Sequence, residues 1–335
     1  MTPLGDENFV TIFDSAYLPQ GIAMCESLTS VEPSSVIWVV CADAETYEIL
    51  TRLGLEKVNP VSLDSLLSEE LRELARTRSW VEFLWTLTPF LFGFIFGLAK
   101  EASRVTYVDA DLFFFRSPSK VMADFQSSRA AILLTEHGFG PNKIQSLQFG
   151  RFNVQFVSIT REGYKKIGKW WSEKCFEWCF ARVEDGKYGD QGYLSEIPKL
   201  FPTEFFVAEP KSDFQGPWNA DLFAPETALT YHFHGFRLLR FRRALLHRGT
   251  WAVPKAHHDS LYRAYLKAIA GSLNLIKDVR RKNGLVGPKQ ALDIKAIARF
   301  PYSSRDVPLI RRWYRNWRAF RGRQILARGP KRLIR

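Results

Sequence analysis

The sequence predicts an α/β protein built on an open sheet, and two patterns carry that prediction. Short runs rich in β-branched and aromatic residues alternate with longer amphipathic stretches, the order that lays helices against a sheet. One run, VTYVDADLFFF at residues 105–115, reads as a strand buried on both faces with two carboxylates, Asp109 and Asp111, at its far end. Ligands of open α/β sheets bind beyond the carboxyl ends of strands, so the same run marks the expected site.

The elements follow in order. Residues 9–13 form a strand that runs into Asp14, Ser15 and Tyr17, and residues 21–28 form a helix, an opening βα unit. Residues 36–41 (VIWVVC) are a second buried strand, and residues 44–53 are helical in period until Gly54 stops them. Residues 57–61 make a third strand, and residues 63–76 an amphipathic, charged helix. Residues 83–99 carry no charge over 17 positions, a length at the lower limit for crossing a membrane. Glu82 at one end and Pro89 inside favour a helix packed on the sheet. Further strands are expected at 130–135, 151–160, 205–208 and 229–236, with an aromatic-rich helix at 161–180.

The chain has 335 residues, 46% of them hydrophobic, enough for a large core. MTPLGDENF at the N-terminus has no basic region followed by an apolar run, so no secretory signal is expected. Cys25, Cys41, Cys175 and Cys179 form no disulfide framework and read as free thiols of a reducing cytoplasm. From Val279 onward there are 17 Lys and Arg against 2 Asp and Glu, so the net charge of +12 belongs to the tail. Within it, residues 309–321 (LIRRWYRNWRAFR) place apolar and aromatic residues on one helical face and arginines on the other. That pattern suits an anionic membrane surface or a helix docked on the protein. Nucleic acid is not expected, because no recognised binding fold accompanies the charge.

On a strand, Asp109 and Asp111 project to the same side and repel unless a cation lies between them. A divalent cation is the simplest answer; the bland alternative is a pair of solvated or N-capping acids in a turn. His232 and His234 share a face of a predicted strand, and an imidazole among the ligands favours Mn²⁺ over Mg²⁺. Asp190 and Gln191 stand where a glycine-containing loop meets a helix, which suits either an N-cap or a site wall facing a sugar. Arg78 and Arg151 are candidates for a pyrophosphate. No phosphate-cradling P-loop and no G-x-G-x-x-G stretch occurs.

Taken in chain order, these motifs resemble the GT-A nucleotide-diphospho-sugar transferases, in particular the family 8-like group. Phe13-Asp14 with Tyr17 resembles its first strand and nucleotide loop, Tyr107 to Phe114 its D-x-D strand, and Phe152-Asn153 its F-N-x-G segment. Asp190-Gln191 resembles its D-Q dyad, and His232-Phe233-His234-Gly235 its H-x-x-G, with His232 at the metal histidine. The match spans roughly the first 240 residues. Gln155 and Phe156 depart from the small residues usual after F-N, Pro89 replaces a common helix lysine, and Phe236-Arg237-Leu238 replaces K-P-W, leaving Arg237 or Arg240 for the pyrophosphate. The stretch around WWSEKCFEWCFARVEDGKYGDQGYL is also similar to uncharacterised bacterial surface-polysaccharide glycosyltransferases.

The resemblance implies a GT-A fold: a mixed central sheet with helices on both faces over residues 1–255, split at 115 into nucleotide and acceptor halves. A basic helical extension would follow at 256–335. It implies a metal-dependent, retaining hexosyl transfer from a nucleotide-diphosphate sugar, UDP as the nucleotide, to a cell-surface glycan or lipid-linked acceptor; the alternatives are an inverting transfer or a basic-tailed nucleic-acid-binding protein with no catalytic activity. Asp109, Asp111 and His232 would hold Mn²⁺ or Mg²⁺. Phe13, Asp14, Tyr17, Arg78, Asp109 and Asn153 would bind the donor, with Asp190 and Gln191 catalytic. The setting expected is cytoplasmic, peripheral at the inner face of the plasma membrane.

Overall fold

A computed structural model of the protein describes residues 7–239, 243–247 and 251–282. Four strands, β1 (Glu7–Phe13), β2 (Ser35–Cys41), β3 (Val58–Ser62) and β4 (Arg104–Val108), run parallel. After them come β5 (Leu112–Phe114), β6 (Ile132–Glu136), β7 (Phe152–Thr160) and β8 (Phe205–Val207). The main sheet has seven strands in the order β3-β2-β1-β4-β7-β6-β8, with β7 antiparallel to both its neighbours. The sheet is therefore mixed.

Alternation along β1 feeds two cores. Val10 and Ile12 join the side holding helices α4 (Trp80–Leu98) and α7 (Lys169–Glu177), while Phe9 and Phe13 join the side of α1 (Leu18–Val31), α2 (Ala44–Leu53) and α5 (Ser119–Ser128). Helices thus cover both faces, as the sequence predicts. Because β1 leads through α1 to β2 on one side and pairs with β4 on the other, the strand order reverses between β1 and β4. That is the switch point at which an open sheet splits into a crevice.

Helix α4 is capped by Ser79 and Glu82 in a reciprocal box and buries Phe83, Leu87, Leu91, Phe92, Ile95 and Phe96 in the core. It is long and apolar enough by length and composition to span a membrane, and half of that stretch is buried inside the protein. Helix Arg263–Lys282, within the region expected to be an extension, packs Ile276 and Val279 into the core beside α1. The tail helix expected at 309–321 lies outside the described residues.

Several elements differ from expectation, among them the strand expected at 229–236, of which only Thr230–His232 is a strand before a turn. The helix expected at 63–76 is broken into a 3₁₀ turn, Leu63–Ser65, and a short helix α3 (Glu69–Leu74). Ser62 and Ser68 each accept a main-chain N–H and start a separate turn. The helix at 161–180 comprises α6 (Arg161–Gly163), a π turn (Tyr164–Gly168) and α7, which ends before Phe180. Finally, 105–115 is not one strand. The chain leaves the main sheet at Val108, turns through Asp109, Ala110 and Asp111, and enters a second sheet as β5. In that sheet β5 pairs antiparallel with β10 (Thr230–His232), which runs parallel to β9 (Phe214–Gln215).

Candidate metal centre and its surroundings

The turn between β4 and β5, rather than strand alternation, brings the two acids together. Asp109 N–H donates to the Gln155 carbonyl of β7 at 3.1 Å, and Leu112 N–H donates back to the Asp109 carbonyl at 3.1 Å, which tightens the turn. Antiparallel pairing of β5 with β10 sets His232 opposite Leu112, and Phe233 N–H donates to the Asp111 carbonyl at 2.9 Å. His232 Nε2 accordingly lies 3.0 Å from Asp111 Oδ1 and 3.7 Å from Asp109 Oδ2. One ligand atom from each residue falls within 4.8 Å of the others. Strand β10 ends at His232, so the exposed His234 sits in the following turn, its ring 5.6 Å from that of His232, and the two do not share a strand face.

Two carboxylates and one imidazole in a half-closed site form a donor set that fits a hard divalent cation. The electrostatics of the cluster point the same way. Burial and the neighbouring Asp111 raise the Asp109 carboxyl above its ordinary range, against the pull of His232. Burial alone would raise Asp111 too, but the His232 ring outweighs it and draws Asp111 down. Burial opposes charge on His232, and the two carboxylates overcome it and raise the imidazole. The cluster lacks positive charge, and His232 supplies it.

Around the three ligands stand further polar groups. Tyr107 donates its hydroxyl to Asp109 Oδ1 at 2.8 Å. Gln155 Oε1 lies 3.1 Å from His232 Nδ1, and the Trp218 ring stands nearly perpendicular to the same ring, centroids 5.3 Å apart. Asp190 is buried, its Oδ2 has no partner among the described residues, and its backbone carbonyl accepts Trp171 Nε1–H at 2.9 Å. Its side chain makes no cap hydrogen bond, so of the two readings open in the sequence the N-cap one does not describe it. Burial first, and the charge of Asp109 second, push its carboxyl up to about 7, while the Thr88 hydroxyl works the other way. Gln191 donates to the Phe149 carbonyl at 2.8 Å and ties the stretch Pro141–Phe149 to this wall.

The nucleotide loop expected after β1 borders the cluster. Tyr17 is half-buried beneath the Arg237 guanidinium, 5.0 Å from its ring centre; burial first and then Asp111 push its phenol up to about 12. Asp14 accepts Ala16 N–H at 3.0 Å and Trp80 Nε1–H at 2.9 Å. The Phe13 ring is in the core, pressed on Gly21, where an added Cβ would come within 2.2 Å of it. Asn153 is buried and accepts Gln155 N–H at 2.9 Å, next to the irregular pairing of β6 and β7. Arg78 is also buried, with its guanidinium on the Thr86 hydroxyl and the carbonyls of Cys175 and Phe176 at the end of α7. Arg151 pairs with Glu136 at 2.5 Å. The fold therefore gathers Asp109, Asp111, His232, Tyr17 and Asp190, and gives Arg78 and Arg151 contacts of their own elsewhere. Tyr107, Thr88 and Trp218 were not foreseen, and a hydroxyl two residues before a carboxylate was the one sequence sign of Tyr107.

Asp43 holds the loop after β1 in place. Its Oδ1 caps α2 by accepting Thr46 N–H at 2.8 Å, and its Oδ2 accepts Ser15 N–H at 2.8 Å. Asp43→Ala is expected to cost about 1–2 kcal/mol in urea unfolding at pH 7. Burial opposes the Asp43 charge, but these hydrogen bonds prevail and lower its carboxyl. The contribution is thus present above the ordinary carboxylate range and lost as pH falls through the lowered value. A mutant deficit that stays constant down to pH 2 would contradict this.

No family model matches the chain. The glycosyltransferase GlyE of Streptococcus pneumoniae TIGR4 has a similar fold, with a TM-score of 0.51 at 13% identity over 85% of this chain and 66% of that one. The mixed sheet with helices on both faces is the GT-A architecture. The uncharacterized protein YfnD of Bacillus subtilis (strain 168) is 28% identical over 248 residues, 69% of this chain and 78% of the relative. The uncharacterized protein YfnF of the same organism is 31% identical over 252 residues, 69% of this chain and 82% of its own length. Identity of that extent, over most of the relative's length, means common descent, and the chain belongs to the family of YfnF.

Proposed function

We propose that the protein is a glycosyltransferase that moves a hexosyl group from a nucleotide-diphosphate sugar, with UDP as the nucleotide, to a cell-surface glycan or lipid-linked acceptor. The observation that carries this reading is the convergence of Asp109, Asp111 and His232 within 4.8 Å at the β1/β4 switch point of a GT-A fold. These three residues would hold Mn²⁺ or Mg²⁺, which when bound offsets the negative charge of the departing diphosphate.

The remaining roles belong to the chain's own groups. The Tyr107 hydroxyl occupies one lone pair of Asp109 Oδ1 and so orients that carboxylate. Arg237, beside Tyr17 and Asp111, places positive charge at the mouth of the site, where the lysine of the related motif is missing. Asp14, Tyr17 and Asp109 bind the nucleoside. Asn153 and the dyad Asp190-Gln191 face the donor sugar, where a buried carboxyl stabilises positive charge at the anomeric carbon once it ionises. Donor and acceptor are thereby held in one orientation in a largely dry crevice. The arginine-rich tail places the enzyme at an anionic inner membrane surface, close to a lipid-linked acceptor. That role rests on the sequence of residues 309–321.

A panel of nucleotide sugars tests the reading. One donor is expected to be hydrolysed with Mn²⁺ and spared with EDTA, and proton NMR of the first transfer product is expected to show a retained anomeric configuration. An inverted product would make a carboxylate, Asp190 foremost, a general base on the acceptor hydroxyl. No turnover of any donor, with or without metal, would rule out the enzyme.

A further inference from the structure

We infer that Gln155 is a positioning residue that selects the tautomer of His232 able to bind a cation, and so sets the affinity of the centre for its metal. The inference rests on the metal reading above and goes beyond it, because Gln155 stands where the related motif has a small residue and touches no substrate in that reading.

The argument starts from the ring. A neutral imidazole offers one lone pair, and to hold a cation at Nε2 it must carry its proton on Nδ1. In this site the opposite tautomer has a ready partner, since an Nε2–H would donate to Asp111 Oδ1 only 3.0 Å away. That arrangement would close the site against a cation. An acceptor at Nδ1 opposes it, and Gln155 Oε1 is there at 3.1 Å. The Gln155 side chain is fully buried, so water cannot take its place readily. Its main chain is held on both sides: Gln155 N–H donates to Asn153 Oδ1 at 2.9 Å, and Gln155 C=O receives Asp109 N–H at 3.1 Å. One residue thus anchors the turn that carries the two acids and orients the imidazole that completes them. The Trp218 ring stands nearly perpendicular to the imidazole, with centroids 5.3 Å apart. A smaller residue at 155 would leave Nδ1 without this acceptor.

Partners of this kind on metal-binding histidines change metal affinity by roughly 10–100-fold. The test is Mn²⁺ titration calorimetry on the full chain. Gln155→Met keeps length and volume but removes the acceptor, and its Kd is expected to rise by about 10–100-fold. Gln155→Glu restores an acceptor and is expected to bind Mn²⁺ at least as tightly as the wild type. A merely structural role predicts instead that both variants lose affinity together. Independently of any variant, ¹⁵N NMR of the wild type in EDTA, at a pH where the ring is neutral, is expected to show His232 protonated at Nδ1, so a variant that fails to fold leaves a decisive measurement. Wild-type affinity in a folded Gln155→Met, equal losses in both variants, or a proton on Nε2 would each overturn the inference while leaving the metal reading intact. A wild type that binds no Mn²⁺ would overturn both.

Discussion

Asp111→Asn is expected to lower metal-dependent turnover by roughly 10³-fold or more, beyond the 10–100-fold typical of losing a ligand's outer partner. The substitution keeps the shape of the side chain and removes one of two anionic ligands. Asp111 Oδ1 lies 3.0 Å from His232 Nε2, and the Asp111 carbonyl separately accepts Phe233 N–H at 2.9 Å. The second bond belongs to the main chain and survives the change, so the turn and the β5–β10 pairing remain. Cooperative unfolding should therefore persist. The ligand role is read apart from catalysis: Mn²⁺ at 100 times its Kd stabilises a protein that binds it only when folded by about 2.7 kcal/mol. The wild type should show that gain in urea and Asp111→Asn should show none at the same concentration. A mutant that keeps full turnover, or is stabilised equally by Mn²⁺, would remove Asp111 from the ligand set.

Asp111 also shows how far local pattern reaches. Its proximity to Asp109 and its pairing with His232 were legible, the first from the D-x-D spacing and the second from the ordered motifs. The cause assigned to the proximity was not. Strand propensity in residues 105–115 is uniform, and nothing in a run of β-branched and aromatic residues tells which sheet a strand joins. The departure at Val108 depends on partners more than a hundred residues away in β10. For the same reason Gln155 was visible only as a departure from a motif, since its role depends on a histidine 77 positions further on. The opening units were easier, because β1, α1 and β2 are neighbours in both sequence and space. The breaks in the helices at 63–76 and 161–180 follow from serine capping and a π turn, which compete with helical periodicity without altering it.

Asp190→Asn is expected to make the protein more stable at alkaline pH and less active at every pH. The wild-type carboxyl is buried, with Oδ2 unpartnered among the described residues, and burial followed by the charge of Asp109 pushes it up to about 7. In the unfolded chain an aspartate titrates near 4, so between about pH 4 and pH 7 the native protein holds a proton that the unfolded chain has lost. The associated stability is fully present below the unfolded value and is lost as pH rises through the folded one. Asparagine does not titrate and escapes this loss. In EDTA, the stability of Asp190→Asn relative to wild type should thus increase by roughly 3 kcal/mol between pH 5 and pH 8, at about 1.4 kcal/mol per pH unit up to the folded value. Mn²⁺ offsets the Asp109 charge, the second cause of the shift, and should shrink the difference. Urea midpoints at the two pH values, with and without Mn²⁺, measure all of this. Transfer should fall by about 10²–10³-fold in the same mutant, the cost of removing one charge-stabilising group from a dry site. Gained stability with lost transfer marks a carboxylate kept in place for the reaction despite its burial. A mutant whose relative stability is the same at pH 5 and pH 8 would show that burial does not raise the Asp190 carboxyl, and undiminished transfer in that mutant would remove it from the proposed wall facing the donor sugar.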